Sequence, residues 1–187
     1  MNFKSFSFAP EIIQALDELN YHTLTPIQRA AIPAVRKGKD VLASAQTGTG
    51  KTAAFALPII QKLVESELST TNAPHALVLA PTRELAEQIA NNFRDFAKHT
   101  SLKVVSLFGG VSTAGQANAL KEGVDIVVAT PGRLFDHIRL GNLSLASVKH
   151  LVLDEADRML DMGFIEDMQN VIKSCAEERQ ILLFSAT

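Results

Sequence analysis

Apolar residues in this chain form short continuous runs that are separated by longer segments with helical spacing. Such runs are typical of strands that are buried on both faces of a sheet. They predict strands at Val41–Ser44, Ala76–Ala80, Val104–Phe108, Ile126–Ala129, Leu151–Leu153 and Ile181–Phe184. The intervening segments predict helices at Lys51–Glu67, Glu84–Lys98, Leu134–Arg139 and Phe164–Cys175. Strands that alternate with helices indicate an α/β fold with a mainly parallel sheet and helices on both of its faces.

Two further helices are predicted before the first strand. Pro10 lies in the first turn of one helix, and Thr25 caps the other, which ends near Gly38. The predicted organisation therefore has two parts, an N-terminal helical segment (1–38) and an α/β domain (39–187). Within the second part, the polar stretch Ser69–Pro74 predicts a loop between a helix and a strand.

Composition narrows the class of protein. The 187 residues carry a net charge of -2, and 47% of them are hydrophobic, which is typical of one folded globular domain. No apolar stretch approaches the roughly 18 residues that a membrane helix needs, and the N-terminus lacks the pattern of a secretory signal. The one cysteine, Cys175, excludes an intrachain disulfide. We therefore expect a cytoplasmic protein that does not contact membranes.

The small net charge also excludes a broadly basic surface, so any nucleic acid would have to be bound by local groups. The five histidines show no spacing typical of zinc ligands; they are His22, His75, His99, His137 and His150. We expect no zinc site and neutral histidines at surface positions.

The loop after the first predicted strand carries the strongest chemical signal. This phosphate loop consists of Ala45, Gln46, Thr47, Gly48, Thr49, Gly50, Lys51 and Thr52. Its glycines allow the backbone N–H groups to turn toward phosphate oxygens, and the following helix adds the positive potential of its N-terminus. Lys51 can reach the β- and γ-phosphates, and the Thr52 hydroxyl can bind Mg²⁺. The loop predicts a nucleotide-binding site, although Ala45 stands where the general pattern has glycine.

Two carboxylates follow another predicted strand, Leu151–Leu153. Because parallel strands end at the same edge of a sheet, we expect Asp154 and Glu155 to lie near the phosphate loop. A strand-end aspartate can hold Mg²⁺ together with Thr52, and Glu155 beside it can join the metal site and orient or deprotonate an attacking water. Lys51, Asp154 and Glu155 are therefore the candidate catalytic residues for ATP hydrolysis.

Six motifs occur in the order of a known family. They are GTGKT at Gly48–Thr52, PTREL at Pro81–Leu85, GG at Gly109–Gly110, TPGR at Thr130–Arg133, DEAD at Asp154–Asp157 and SAT at Ser185–Thr187. With these motifs the chain resembles the N-terminal RecA-like lobe of DEAD-box ATP-dependent RNA helicases. Its overall sequence is similar to the bacterial RhlE-like branch of that family. The resemblance covers essentially the whole chain and implies a RecA-like phosphate-loop domain.

The resemblance also implies residue roles at the nucleotide. Gln28 matches the glutamine that reads adenine, and its amide can pair with the N6/N7 edge of that base. Phe3 lies 17 residues before Asn20, which is the spacing of the aromatic residue that stacks on adenine. Phe6 and Phe8 are expected to be packing residues instead. The family usually has glycine at Asn20 and proline at the position of Leu24.

Further roles concern RNA. Residues expected from the resemblance to contact the RNA backbone are Pro81, Thr82, Arg83, Gly109, Gly110, Thr130, Pro131, Gly132 and Arg133. Residues expected to couple the ATP site to strand separation are Asp157, Ser185, Ala186 and Thr187. Taken without the family, the PTREL and TPGR segments indicate ordinary helix capping. Contacts to sugars and phosphates would favour RNA with little base specificity.

The expected function is therefore RNA-stimulated ATP hydrolysis coupled to local duplex unwinding, with ATP and Mg²⁺ as cofactors. The family's second RecA-like lobe, which supplies arginines to the γ-phosphate, is absent from these residues. We expect the chain alone to bind nucleotide weakly and not to unwind RNA. Two alternatives remain at this point. A related DNA translocase would share the phosphate loop and the strand-end acids, and an ATP-gated RNA clamp would share all the binding motifs.

Overall fold

The computed structural model describes residues 2–66, 68 and 73–186. Within these ranges, six strands, β1 to β6, span Val41–Ser44, Ala76–Leu79, Val104–Leu107, Ile126–Ala129, His150–Leu153 and Gln180–Ser185. The described residues also form eight helices, α1 to α8, which span Pro10–Glu18, Pro26–Arg36, Lys51–Glu65, Arg83–Ala97, Thr113–Lys121, Pro131–Arg139, Ala156–Asp161 and Ile165–Ser174. A 3-10 turn at Phe3–Phe6 precedes them. Each predicted strand is present within one residue of its expected ends.

The strands form one sheet in the order β1-β6-β5-β2-β4-β3, and every neighbouring pair is parallel. Helices cover both faces, as predicted. Strand residues that alternate along the chain point into separate cores on the two faces. The core beneath α1 to α4 includes Phe55, Phe93 and Phe184, and the opposite core includes Leu134, Met159 and Cys175. The continuous apolar runs at β2 and β4 correspond to strands that are buried on both sides, whereas the edge strand β1 is partly exposed.

The predicted helices differ from the observed ones mainly at their ends, and two observed helices were not predicted. Helix α5 has few large apolar residues, so its sequence lacks an apolar stripe. Its buried residues are Gln116 and Leu120. Helix α7 is only six residues long, too short to show periodicity. Four residues of the predicted loop, 69–72, lie outside the described residues, as does Glu67.

The N-terminal helices belong to the same packed body as the sheet. Ile12 of α1 and Ile32 of α2 are fully buried in the core beneath α1 to α4. Lys98 and His99, at the end of α4, both bond to Glu18 of α1. No helix in the described part of the chain is both long and apolar enough to cross a membrane.

The carboxyl ends of the strands lie along one edge of the sheet, and the strand order decides which segments are neighbours there. From one side, the phosphate loop follows β1, Ser185 ends β6, and Asp154 follows β5. On the other side, Pro81, Thr130 and Gly109 come after β2, β4 and β3. The edge therefore has a half with the residues expected at the nucleotide and a half with those expected at RNA.

Candidate nucleotide site and nucleic-acid interface

The phosphate loop adopts a conformation that glycine makes accessible. Gly48 and Gly50 have φ values of 80° and 85°, in the left-handed region where a side chain is unfavourable. Gly50 is the N-cap residue of α3, and Lys51 is its first residue. The Thr49 hydroxyl donates to the carbonyl oxygen of Gln46 at 2.6 Å, which closes the turn. The loop therefore points unpaired N–H groups of a helix N-terminus toward any bound anion.

A cavity of about 230 Å³ lies at this helix N-terminus. It is lined by Thr47, Gly48, Gly50, Lys51, Thr52, Asp154 and Glu155, together with Gln88 and Asn92 of α4. The fold thus brings together the two motifs that the sequence separates by about a hundred residues. The cavity walls combine an ammonium group, two threonine hydroxyls and two carboxyl groups, which suits a phosphate chain with a divalent cation.

Asp154 is the most constrained acid of the site. Its side chain is 3% exposed, and burial raises its pKa from 3.8 to about 6, although the positive charge of Lys51 acts in the opposite direction. Its Oδ1 atom accepts a hydrogen bond from the Glu155 N–H at 2.9 Å. Ionising a carboxyl group at such a buried position costs free energy, and a nearby cation would offset that cost.

The residues present fit Mg²⁺. The Thr52 hydroxyl and the carboxyl groups of Asp154 and Glu155 are hard oxygen donors at one cavity. Among the described residues no three His, Cys, Asp or Glu side chains form a metal site of their own. An ion here would accordingly take its remaining oxygen ligands from phosphates and water, which is how Mg²⁺ usually binds beside nucleotides.

Glu155 occupies a strained position at the end of its strand. Its φ is 49°, a left-handed conformation that is uncommon for a residue with a side chain. Its carboxylate pairs with Arg158 of α7 at 3.4 Å. This pair joins a half-exposed arginine to the acid, so it holds the carboxylate only weakly in this orientation.

Gln28 links the N-terminal helices to the phosphate loop. Its side chain is 2% exposed, and its amide closes the capping box of α2 by accepting from the Thr25 N–H at 3.0 Å. Its Nε2 atom donates to the carbonyl oxygen of Gly50 at 3.1 Å, and a Cβ atom at Gly50 would lie 2.4 Å from Nε2. The amide retains a second N–H and a second lone pair, the groups that an adenine edge needs. An open cleft of about 460 Å³ lies beside it.

Phe3 does not present an open ring face in this structure. It is 2% exposed and packs against Tyr21, with ring centroids 6.2 Å apart. Stacking on adenine would require the N-terminal turn to move, so this role stays a prediction. Phe8 is buried and Phe6 packs against the same core, as expected. Asn20 has a φ of 59°, in the left-handed region where glycine meets no steric cost.

The segments expected at RNA converge on the turn after β3. This GG turn, Phe108–Val111, lies between two arginines. The Arg83 guanidinium stacks over the Phe108 ring at 5.0 Å, and a Cβ atom at Gly110 would lie 2.7 Å from it. From the other side, Arg133 donates to the carbonyl oxygen of Val111 at 3.0 Å. The GG turn therefore contacts both of the other segments.

Helix capping explains only part of these segments. The Thr82 hydroxyl accepts from the Leu85 N–H at 3.3 Å and caps α4, as the residues alone predict. Thr130 is the N-cap residue of α6, but its side chain makes no capping hydrogen bond. The first backbone N–H groups of α6 therefore receive no hydrogen bond from this side chain, and Gly132 beside them is exposed.

Of the predicted coupling residues, Ser185 lies beside the phosphate loop. Ser185 ends β6 opposite Ser44 of β1, and its carbonyl oxygen accepts from the Ala45 N–H at 3.0 Å. Ala186 follows at the exposed edge, and Thr187 lies outside the described residues. Asp157 is in the first turn of α7. A backbone hydrogen bond thus joins the start of the phosphate loop to the SAT segment.

Two buried polar residues near the GG turn were missed from the sequence. His137 is fully buried, so the expectation that all histidines lie at the surface is wrong for it. Gln116 is 8% exposed and bonds to it. The available signal was the place of His137 beside Leu134 on the apolar stripe of α6, which is a core position.

Comparison with known proteins follows the same motifs. A sequence model of the family described as "DEAD/DEAH box helicase" matches residues 25–187. The chain is 50% identical over 186 residues to the ATP-dependent RNA helicase DeaD of Escherichia coli (strain K12), which covers 99% of this chain and 29% of that relative. It is 50% identical over 187 residues to the protein of the same name from Buchnera aphidicola (subsp. Acyrthosiphon pisum), which covers 98% of this chain and 30% of the relative.

Solved structures include a similar fold. The crystal structure of a DEAD box protein from the hyperthermophile Methanococcus jannaschii matches with a TM-score of 0.90 and 40% identity. The match covers 100% of this chain and 50% of that chain. The chain therefore spans half of the solved protein and less than a third of these curated relatives.

Proposed function

This chain belongs to the DEAD/DEAH box helicase family, and we propose that it acts as the ATP-binding, RecA-like lobe of an ATP-dependent RNA helicase. The observation that carries the proposal is the division of the sheet edge. The half at β1, β6 and β5 has the phosphate loop and the acids, and the half at β2, β4 and β3 has the three segments suited to an RNA backbone. Two such sites on one edge support hydrolysis that responds to RNA.

The phosphates of ATP would lie at the N-terminus of α3. The N–H groups of the phosphate loop and the Lys51 ammonium would bind the β- and γ-phosphates, because both offer positive potential at a largely buried position. Thr52 and Asp154 would hold Mg²⁺, and Glu155 would reach it through water. The ion, when bound, supplies Lewis-acid stabilisation of charge on the phosphate oxygens.

Glu155 is the residue proposed to orient the attacking water and accept its proton. The left-handed backbone at Glu155 places the carboxylate at the cavity rather than on the helix that follows. Release from Arg158 would cost little, since exposed ion pairs contribute at most about 1 kcal/mol. The same carboxylate is therefore available to the site once a nucleotide is bound.

Adenine would lie in the cleft beside Gln28. The spare N–H and lone pair of the Gln28 amide match the acceptor and donor of the adenine N7/N6 edge. Because the same amide holds the carbonyl oxygen of Gly50, base recognition and loop geometry would share one side chain. Phe3 would complete the base site if the N-terminal turn opened.

RNA would lie along the other half of the edge. Pro81–Arg83, the GG turn and Thr130–Arg133 offer helix N-termini, exposed glycines and the exposed guanidinium of Arg83. These groups recognise sugars and phosphates rather than bases, so little sequence preference is expected. This local grip is compatible with a net charge of -2.

Asp157, Ser185 and Ala186 would connect the two halves. The hydrogen bond from the Ala45 N–H to the Ser185 carbonyl oxygen gives nucleotide-dependent movement of the loop a direct path to β6. A second RecA-like lobe would close on this edge and add arginines to the γ-phosphate. Arginine fingers typically contribute about 10³–10⁵ in rate, so this chain alone is expected to hydrolyse ATP slowly and not to unwind RNA.

Two finer assignments rest on the sequence pattern alone. We place the chain in the RhlE-like branch, although the relatives named above carry the name DeaD. We also propose a cytoplasmic location.

The test is steady-state ATP hydrolysis by a longer protein that carries this chain and a second lobe. Single-stranded RNA is expected to stimulate the rate, and DNA of the same sequence is expected to stimulate it far less, because the predicted contacts include 2′-hydroxyls. Equal stimulation by both would contradict the RNA assignment and favour a DNA translocase. Tight, ATP-dependent RNA binding without turnover would instead favour an RNA clamp.

A further inference from the structure

A buried glutamine joins the GG turn to helix α6. The Nε2 atom of Gln116 donates to the carbonyl oxygen of Phe108 at 3.0 Å. Its Oε1 atom accepts from Nη1 of Arg133 and from Nε2 of His137, each at 3.0 Å. Three polar contacts meet on one amide, and both lone pairs of its oxygen are used. Rotating the amide by half a turn would set its N–H groups against other donors, so this orientation is strongly favoured.

The two arginines at the GG turn differ in their exposure and in their contacts. The Arg133 side chain is 13% exposed, and its Nη1 atom donates to both Val111 and Gln116 within the protein. Its Nε atom lies 3.7 Å from a carboxylate oxygen of Asp136. Arg83, by contrast, is exposed and rests on the Phe108 ring. One guanidinium is directed into the protein and the other is open to solvent.

His137 contacts the Gln116 amide from helix α6. It is fully buried, and burial lowers its pKa below 6.5, an effect that Arg133 strengthens and Asp136 opposes. The neutral ring can donate from Nε2 to Gln116 and accept at Nδ1 from the Asn142 amide, at 3.2 Å. Both ring nitrogens then have partners, which fixes the ring and the position of the Gln116 oxygen.

We propose that Gln116 is a positioning residue for RNA binding, which together with Arg133 and His137 holds the GG turn against the N-terminus of α6. The separation of two RNA-binding segments is thereby fixed before RNA arrives, which lowers the ordering cost of binding. Arg133 acts through the protein, and Arg83 supplies the charge to phosphate. The inference rests on the proposed function, because it assigns roles within the RNA-binding half of the edge.

The test measures binding of a fluorescent single-stranded oligouridylate to this chain over a range of salt concentrations. Gln116→Ala is expected to raise the Kd for RNA about tenfold, the effect of losing one or two ordering hydrogen bonds, and to leave the Kd for Mg·ADP unchanged. Gln116→Ala and Arg133→Ala are both expected to keep the wild-type slope of log Kd against log salt. Arg83→Ala is expected to lower that slope by about 0.7, the value for one phosphate contact on a single strand.

A double variant tests whether Gln116 and Arg133 act together. If they do, Gln116→Ala with Arg133→Ala weakens RNA binding by clearly less than the product of the two single effects. Gln116→Met keeps the side-chain volume and removes the hydrogen bonds, so it reports on positioning even if the alanine variant is unstable. Gln61→Ala is the matched control, because Gln61 is also a buried glutamine, at 4% exposed. Its hydrogen bonds are to Ala9 and Glu65, and neither partner belongs to the GG turn.

Hydrogen–deuterium exchange separates the inference from the proposed function. Exchange at residues 108–111 is expected to rise in Gln116→Met and not in Gln61→Ala, whether or not RNA is present. Unchanged exchange there, or unchanged RNA affinity in Gln116→Met, would overturn the inference while leaving the proposed function intact. No RNA binding by the unmodified chain at low salt would contradict the proposed function, and the positioning role would fall with it.

Discussion

Two acids at the end of β5 hold unfavourable states in the ligand-free chain. Asp154 has its pKa raised to about 6 by burial, and the Glu155 backbone lies in the left-handed region at a φ of 49°. Costs of this kind collect at sites where a ligand offsets them. Variants that remove such a cost should therefore stabilise the chain while they weaken its site.

Asp154→Asn is expected to stabilise the ligand-free chain at neutral pH. Because the folded pKa is raised, the native state resists ionisation, and the resulting cost is complete above pH 6 and absent below the unfolded value of 3.8. Chemical denaturation should show a gain of about 1–3 kcal/mol near pH 8 that nearly disappears near pH 4. The stabilisation by Mg·ADP should decrease in the same variant. A variant less stable than the unmodified chain near pH 8 would contradict this account of Asp154.

Glu155→Gln is expected to abolish hydrolysis and preserve binding. Glutamine has the same backbone cost at a φ of 49°, so the change isolates the carboxylate. Loss of a general base typically lowers a rate by about 10²–10⁴. The rate is measured in the longer protein with both lobes, and binding of Mg·ATP is measured in this chain by calorimetry. Hydrolysis at an unchanged rate would remove Glu155 from its proposed role.

Sequence patterns predict candidate site residues where the relevant residue types lie next to each other in the chain. The glycines, Lys51 and Thr52 of the phosphate loop form one contiguous pattern, and Asp154 directly follows an apolar run. Gln116 and His137 could not be found in this way, because each is a single polar residue whose partner lies elsewhere in the chain. The burial of Phe3 was also hidden, since spacing along the chain says nothing about which residue covers a ring.

Elements differ in how strongly their sequence specifies them. All six strands have short apolar runs and could be predicted from them, although burial on both faces applies to central strands such as β2 and β4 and not to the edge strand β1. Helix α5 lacks an apolar stripe, and the polar contacts of Gln116 to the GG turn and to α6 help to hold it in place. Its position thus depends on tertiary contacts, which explains why it was not predicted.

The α5–α6 contact predicts a pH dependence of stability. His137 has a lowered folded pKa because it is buried, so its contribution is present above 6.5 and is lost as the pH falls, when the unfolded chain takes up a proton. Between about pH 8 and pH 5.5 the unfolding free energy of His137→Gln should fall less than that of the unmodified chain, because glutamine takes up no proton in the unfolded state. His150 and Asp154 titrate in both proteins and cancel in this difference. Equal losses in the two proteins would contradict a neutral, buried His137.

At the scale of the whole molecule, the parallel topology is what brings the site residues together. Motifs that are far apart in sequence meet because the strands all end at one edge, and the order β1-β6-β5-β2-β4-β3 sorts them into two halves. The sequence pattern predicted a shared edge. The strand order was not encoded locally, because it depends on which helices pack on which face, and so the division of the edge emerged only from the fold.

The central claim is that one half of this edge binds nucleotide and the other half binds RNA. Hydrogen–deuterium exchange of the chain, measured with Mg·ADP alone and with single-stranded RNA alone, tests it most directly. Mg·ADP is expected to slow exchange at residues 45–52 and 154–155, and RNA is expected to slow it at residues 81–83, 109–111 and 130–133. Protection of the same residues by both ligands, or protection by RNA confined to residues 45–52, would contradict the account.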